Sequence, residues 1–338
     1  MKNSSDSIVS AIKYGVLLIH FGAPHSLDVV AIRDYLKLVL SDKRVITLTD
    51  WLWKPMLWVI VKTRAKRLAK QYASIWLSNG SPLSVHAHRQ AECLQNRLDQ
   101  AFGNRVLARC AMRYGEPSVS NVLDDMMQAG VTHFIIWPLY PQYALSTTAS
   151  AFDQVWHYLS KCRIVPSIHT LTDFFVHPDY INALTQSVLD HWAAHGQADK
   201  LLISFHGLPK QSLRNNEPYF WQCHATAKAL AKSLSLKPNQ WIVSFQSRFD
   251  PRKWLEPYTK DVLCELGAQH TQTLDVICPG FITDCLETLS EIRMDGAKLF
   301  CKAGGKAFRY IPCLNSTHYA IDMLFSILHK KLSMPLLS

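Results

Sequence analysis

Three strand-end motifs occur twice along this chain, in the same order, and this repetition restricts the fold more than any other feature. "LLIHFGAP" (17–24) is matched by "LLISFHGLP" (201–209): an apolar run, then a turn holding His, Gly and Pro. "AMRYGEPS" (111–118) is matched by "QSRFDPRK" (246–253), and "FIIWPLYP" (134–141) by "DVICPGF" (275–281). Short apolar runs closed by Gly and Pro read as buried strands and turns. The strands predicted at 15–20, 105–112, 132–137, 201–205, 241–245 and 273–278 alternate with amphipathic stretches at 29–40, 85–102, 119–129 and 219–235. That alternation makes an α/β protein with parallel sheets. The repeat then predicts two similar Rossmann-like lobes with a cleft between them, divided as 1–190 and 191–338 near the small, polar stretch "HWAAHGQADK" (191–200).

Ligands of open α/β sheets sit beyond the carboxyl ends of the strands. All six punctuated turns should therefore face one cleft. The first half spends many more residues between its first two strands than the second half does. This places an insertion within 25–105, where it would cover the cleft.

The insertion contains "LTDWLWKPMLWVIVKTRAKRLAKQY" (48–72), with Trp51, Trp53 and Trp58 among aliphatics and a basic run after them. Such a segment suits a peripheral membrane contact, aromatics at the boundary and cations toward headgroups. It equally suits a lid over a flat apolar ligand, or a plain core helix with a basic solvated face. Lys54-Pro55 should break the run, and no stretch reaches the roughly 18 apolar residues a spanning helix needs.

The composition narrows the partners. Of 338 residues, 48% are hydrophobic, enough for a large core, and the formal charge is +10. That excess fits an anionic small molecule or an acidic lipid surface. Nucleic-acid-binding motifs are absent from the sequence, so nucleic acid is not expected as a partner. Nine cysteines form no C-x-x-C pair, and the polar stretch 1–14 lacks the apolar core of a secretory signal. Both point to reduced thiols and a cytoplasmic location.

"CPGFITDCLETLSEIRMD" (278–295) carries Asp284, Glu287, Glu291 and Asp295. On an α-helix the last three follow i, i+4, i+8, a row of like charges along one face that calls for a cation. Carboxylate oxygens suit hard or borderline divalent ions. Asp284 and Glu287 also fit a capping box, the blander use of that spacing. His206, at its strand end, reads either as a structural hydrogen-bonder or as a group moving protons near neutral pH opposite Glu287. No G-x-S-x-G elbow, Walker loop or G-x-G-x-x-G accompanies the first strand.

"QYASIWLSNGSPL", "MRYGEPS", "PLYPQYALSTTAS", "SFHGLP", "SFQSRF…WLEPYT", "CPGFITDCLETL" and "GGKAFRYIPCLN" together resemble the ferrochelatase family, from about 16 to 328. The resemblance implies the chelatase fold of two Rossmann-like lobes. It also implies insertion of ferrous iron, a substrate, into protoporphyrin IX at the end of heme synthesis. Coproporphyrin chelation or idle tetrapyrrole carriage on the same fold are the alternatives. Carried over by motif, His206 and Glu287 are the catalytic pair and Asp284 supports them. Glu291 and Asp295 fall in an acidic row that, with the pair, handles metal or protons. Phe21, Tyr72, Arg113, Tyr114 and Trp254 contact the porphyrin, with Arg113 offsetting its propionates. Four positions depart from the family pattern: His20 stands where Asn is usual, Asp250 where Gly is usual, Ser290 where an acid is usual, and Leu145 where cluster-bearing members have Cys. As no Cys follows Cys313, no [2Fe–2S] cluster is expected.

Overall fold

Seven consecutive residues of β1 (Tyr14–His20) are buried, as expected of a central strand covered on both faces. The computed structural model describes residues 12–46, 50–248 and 251–337, so Asp250 lies outside the described residues. β1 pairs in parallel with β2 (Val106–Met112) on one side and β3 (His133–Pro138) on the other, and β3 pairs with β4 (Ser167–Thr170). The second half repeats the arrangement with β5 (Lys200–His206), β6 (Trp241–Gln246), β7 (Thr273–Ile277) and β8 (Ala307–Tyr310). The orders, β2-β1-β3-β4 and β6-β5-β7-β8, are the same. β4 and β8 were not expected. Each is a four-residue edge strand with partly exposed side chains, so neither leaves an apolar run to read.

Between β1 and β2 lie α1 (Val29–Leu40), α2 (Asp50–Ala73) and α3 (Pro82–Phe102); the matching connection of the second half holds the shorter pair α7 (Gln211–Arg214) and α8 (Tyr219–Ser233). The remaining crossovers are α4 (Val119–Gln128) and α5 (Ser150–Leu159) in the first half, α9 (Thr259–Ala268) and α10 (Ala297–Lys302) in the second. Pro55 falls inside α2, which runs on through it. The expected break does not occur: Pro55, the sixth residue of the helix, gives up one i→i−4 hydrogen bond and the helix continues on both sides of it.

The structure also moves one of the paired motifs. Met112 N–H donates to the Pro117 carbonyl at 2.8 Å, and Phe245 N–H to the Pro257 carbonyl at 2.9 Å. Both prolines follow cis peptide bonds from glutamate. The true counterparts are therefore "EPSVSNVL" (116–123) and "EPYTKDVL" (256–263), each opening a helix, and Pro117 does not match Pro251. Extra residues at 246–255 hid this pairing.

Each half ends in a helix that packs across to the other. α6 (Pro178–His195) leaves β4 and packs on α8, while α11 (His318–Leu337) leaves β8 and packs on α3 and α6. α6 is anchored on the second sheet by buried Asp275. This carboxylate accepts from Trp192 Nε1 at 2.7 Å and from Arg309 Nε at 2.7 Å and NH2 at 3.1 Å. Arg309 also donates to the His195 carbonyl at 2.6 Å, closing the carboxyl end of α6. The largest apolar cluster accordingly draws on both sheets, joining Val16, Leu18 and Trp137 to Ile203, Phe205 and Leu324.

Candidate active site

Strand sterics set the floor of the site. A Cβ on Gly22, at φ 101°, would lie 1.9 Å from the Tyr114 carbonyl oxygen; one on Gly207 would lie 2.8 Å from the Gln246 carbonyl oxygen. In both halves the turn after the central strand thus meets the end of its neighbour too closely for a side chain. Glycine follows His206 for the approach of the protein's own backbone.

His206 is half-buried at the end of β5, in register with Gln246 on β6. Its Nδ1 lies 2.7 Å from the Gly207 carbonyl oxygen. A carbonyl only accepts, so this contact places the proton on Nδ1 and leaves the Nε2 lone pair open. The Tyr219 hydroxyl donates to the His206 carbonyl at 2.9 Å, and the Phe281 ring stands 6.3 Å from the imidazole.

Glu287 opens a ten-residue π-helical segment, Glu287–Gly296. A shorter π turn, Leu145–Ala149, occupies the corresponding place after β3. The i→i+5 bonding of a π-helix widens each turn, so residues four apart do not stack as they would on an α-helix. The expected acidic row is spread out as a result. Glu291 is half-buried and accepts from Ser247 N–H at 2.8 Å and Ser247 Oγ at 2.7 Å. Asp295 is exposed and lies 3.7 Å from Lys298 Nζ. Glu291 and Asp295 share a groove of about 240 Å³ with Thr259, Lys260 and Leu299. Among the described residues no three His, Cys, Asp or Glu side chains gather as a metal site. His206, Glu287, Glu291 and Asp295 therefore do not form one ready coordination set.

Asp284 is buried and fully engaged. Tyr310 OH donates to Oδ1 at 2.5 Å, Thr288 Oγ1 to the same oxygen at 3.0 Å, and Asn315 Nδ2 to Oδ2 at 2.6 Å. The capping box is not formed, because these donors use the carboxylate that would have capped the helix. Gln246 links the pair's two elements. It accepts from Ser204 Oγ at 2.8 Å and donates to the Glu287 carbonyl at 3.0 Å. Tyr310, Asn315 and Gln246 went unnoticed in the sequence; the first two lie in the quoted "GGKAFRYIPCLN", but nothing there linked them to Asp284.

The first half closes the opposite side. Ala23, Tyr72 and Ile75 pack with Leu286 and Leu289, which flank Glu287. Tyr35 and Tyr72 stand edge to face, 6.4 Å apart, and burial pushes both phenols well above their usual range, with the Glu287 charge adding to the rise. Phe21 lies edge-on to Tyr114 at 4.9 Å and packs in one cluster with Phe281. Tyr72, Tyr114 and Trp254 are 5%, 1% and 2% exposed. Trp254 is bridged to Pro209 beneath the His206 turn. The Arg113 guanidinium, expected to answer propionates, is engaged instead by Asp42: NH2 pairs with Asp42 Oδ2 and Nε donates to Ser150 Oγ at 2.6 Å.

α2 divides into two parts. Trp51, Met56, Trp58 and Val59 are exposed toward its start, with Lys62 Nζ 4.8 Å from the Trp58 ring. Val61, Ala65 and Tyr72 are buried toward its end. No helix among the described residues is long and apolar enough to cross a membrane.

Comparison with known proteins agrees with this architecture. The ferrochelatase family profile matches residues 13–332. The ferrochelatase of Aromatoleum aromaticum is 47% identical over 319 residues, covering 94% of this chain and 87% of that protein. Ferrochelatase 1 of Shewanella oneidensis is 44% identical over 312 residues, covering 92% of this chain and 93% of that protein. Among solved structures, SirB from Bacillus subtilis with Fe3+ aligns with a TM-score of 0.54 and 12% identity, over 96% of this chain and 98% of that one. CbiX, described as the terminal enzyme for biosynthesis of siroheme in denitrifying bacteria, aligns at 0.51 and 14%, over 94% of this chain and 100% of that one. At those identities the two structures speak for the fold, two parallel four-stranded sheets flanked by helices. The profile and the relatives speak for more: the chain belongs to the ferrochelatase family.

Proposed function

We propose that the protein's ferrochelatase activity, the insertion of ferrous iron into protoporphyrin at the end of heme synthesis, takes place between His206 on one side and Phe21 with Arg113 on the other. Free porphyrin holds two pyrrole N–H protons in a plane that excludes the metal. Bending the ring exposes the nitrogen lone pairs, a strain met by remote binding contacts. Two protons must then leave as iron enters. The observation that carries the reading is the 2.7 Å contact between His206 Nδ1 and the Gly207 carbonyl oxygen: a carbonyl only accepts, so Nδ1 carries the proton and Nε2 is the base. Glu287, whose turn is held to β6 by Gln246, orients this exchange or takes the second proton. Asp284 keeps that turn in place through Tyr310, Asn315 and Thr288. Glu291 and Asp295 carry protons or metal along the groove beyond it. Phe21 and Phe281 offer aromatic surface to the macrocycle, and contact with Tyr72, Tyr114 and Trp254 needs the cleft to open.

Metal insertion into protoporphyrin and coproporphyrin, with His206→Ala and Glu287→Gln beside the unmodified protein, tests the reading. Loss of a positioned proton acceptor should lower kcat by about 10²–10⁴-fold, with protoporphyrin the better substrate. Near-unchanged rates in His206→Ala would refute the assignment. The exposed aromatics and cations of α2 support a peripheral membrane contact from which a lipophilic porphyrin is drawn.

A further inference from the structure

Asp42 lies between α1 and α2, away from every repeated motif, yet its carboxylate is held by four protein donors. Its Oδ2 takes Arg113 NH2, the Tyr114 hydroxyl at 2.6 Å and the Ser150 hydroxyl; its Oδ1 takes Arg44 N–H at 2.7 Å. The two side chains of the ion pair are only 16% and 6% exposed. Burial alone would raise the Asp42 carboxyl, but the hydrogen bonds from Ser150, Tyr114 and Arg44 and the Arg113 charge outweigh it and hold it below its usual range. Asp42 therefore stays charged and cancels Arg113. Without it, a poorly solvated guanidinium would face the reactants, and a charge in such surroundings acts several-fold more strongly than in water.

We infer that Asp42 is a positioning residue for the reaction: by neutralising Arg113 it keeps this wall of the cleft from repelling an entering divalent cation. The inference rests on the cleft proposed above as the place of metal insertion. It is tested on the full chain by metal insertion into protoporphyrin, with Fe²⁺ and Zn²⁺ as probes. Asp42→Asn, which keeps the shape and an accepting oxygen, should raise the metal KM about tenfold and leave the porphyrin KM within about threefold. Removing both charges in Asp42→Asn/Arg113→Met should bring the metal KM back to within about threefold of the unmodified protein, whatever happens to the porphyrin KM. A merely structural clamp predicts the opposite, since the double variant loses more bonds than the single one. An unchanged metal KM in folded Asp42→Asn, or a double variant as impaired as the single, overturns the inference. His206→Ala in the same assay separates the two levels: if it is slow while the Asp42 variants behave like the unmodified protein, only the inference falls. If His206→Ala is fast, the reading of the cleft falls first.

Discussion

His20 shows how burial changes the meaning of a single residue. It ends the central strand of the first sheet as His206 ends that of the second, but it is only 3% exposed. Burial, with the nearby His88 adding to it, pushes its imidazole down to about 3. It is neutral at physiological pH and is not a second titrating group in the cleft. Because the folded pKa lies below the ordinary 6.5, the stability linked to His20 is present above that value and is lost as pH falls toward 3. At pH 5 the loss amounts to about 2 kcal/mol. Urea unfolding at pH 7 and pH 5 should show a loss larger in the unmodified protein than in His20→Asn, the residue usual in the family, by about this amount. His86, His177, His191 and His224, also lowered by burial, add equally to both. Equal pH dependence in both proteins would contradict the assignment. His20 Nε2 is also buried without a hydrogen-bond partner among the described residues.

At the scale of elements, the π segment and α2 were the least readable. Nothing in "ETLSEIRMDG" marks it as π-helical, and the i, i+4, i+8 spacing of its acids held only for an α-helix. The wider turn lets Glu291 reach Ser247 while Asp295 stays in solvent. For α2 the sequence left core, lid and membrane contact open; the helix is buried in its later turns, and its early turns expose apolar side chains. Its later turns pack by Tyr72 against Leu286 and Leu289, and its early turns present Trp51 and Trp58. Cosedimentation with anionic phospholipid vesicles should show weaker binding for Trp51→Ser/Trp58→Ser. Losing two large apolar side chains should cost more than about tenfold in the partition constant. Equal partitioning of the two proteins would remove α2 as the contact.

The whole molecule is more than two lobes set side by side. Since α6 leaves the first half to pack on the second, and α11 returns to α3, each half lacks a covering helix without the other. The main apolar cluster runs through both sheets. Unfolding should therefore be one cooperative transition, with far-UV circular dichroism and tryptophan fluorescence giving coincident midpoints. Two resolved transitions would show the sheets to be independent. The expected division at 190/191 falls inside α6, whose anchors, Asp275 and Arg309, lie far along the chain.

What the sequence determined by itself is local and periodic: six buried strands, their turns, the duplication, and the family motifs that single out His206 and Glu287. Those signals survive in one dimension because apolar runs, Gly and Pro act on neighbours in the chain. Tertiary structure alone decided which charges are free and which are spent. Arg113 looked like a cation awaiting a carboxylate, and Asp42, some seventy residues earlier, already neutralises it. Asp284 looked like a helix cap, and Tyr310 with Asn315 claim it instead. A buried ionisable group takes its role from whatever the fold brings against it, and such partners carry no sequence spacing to read.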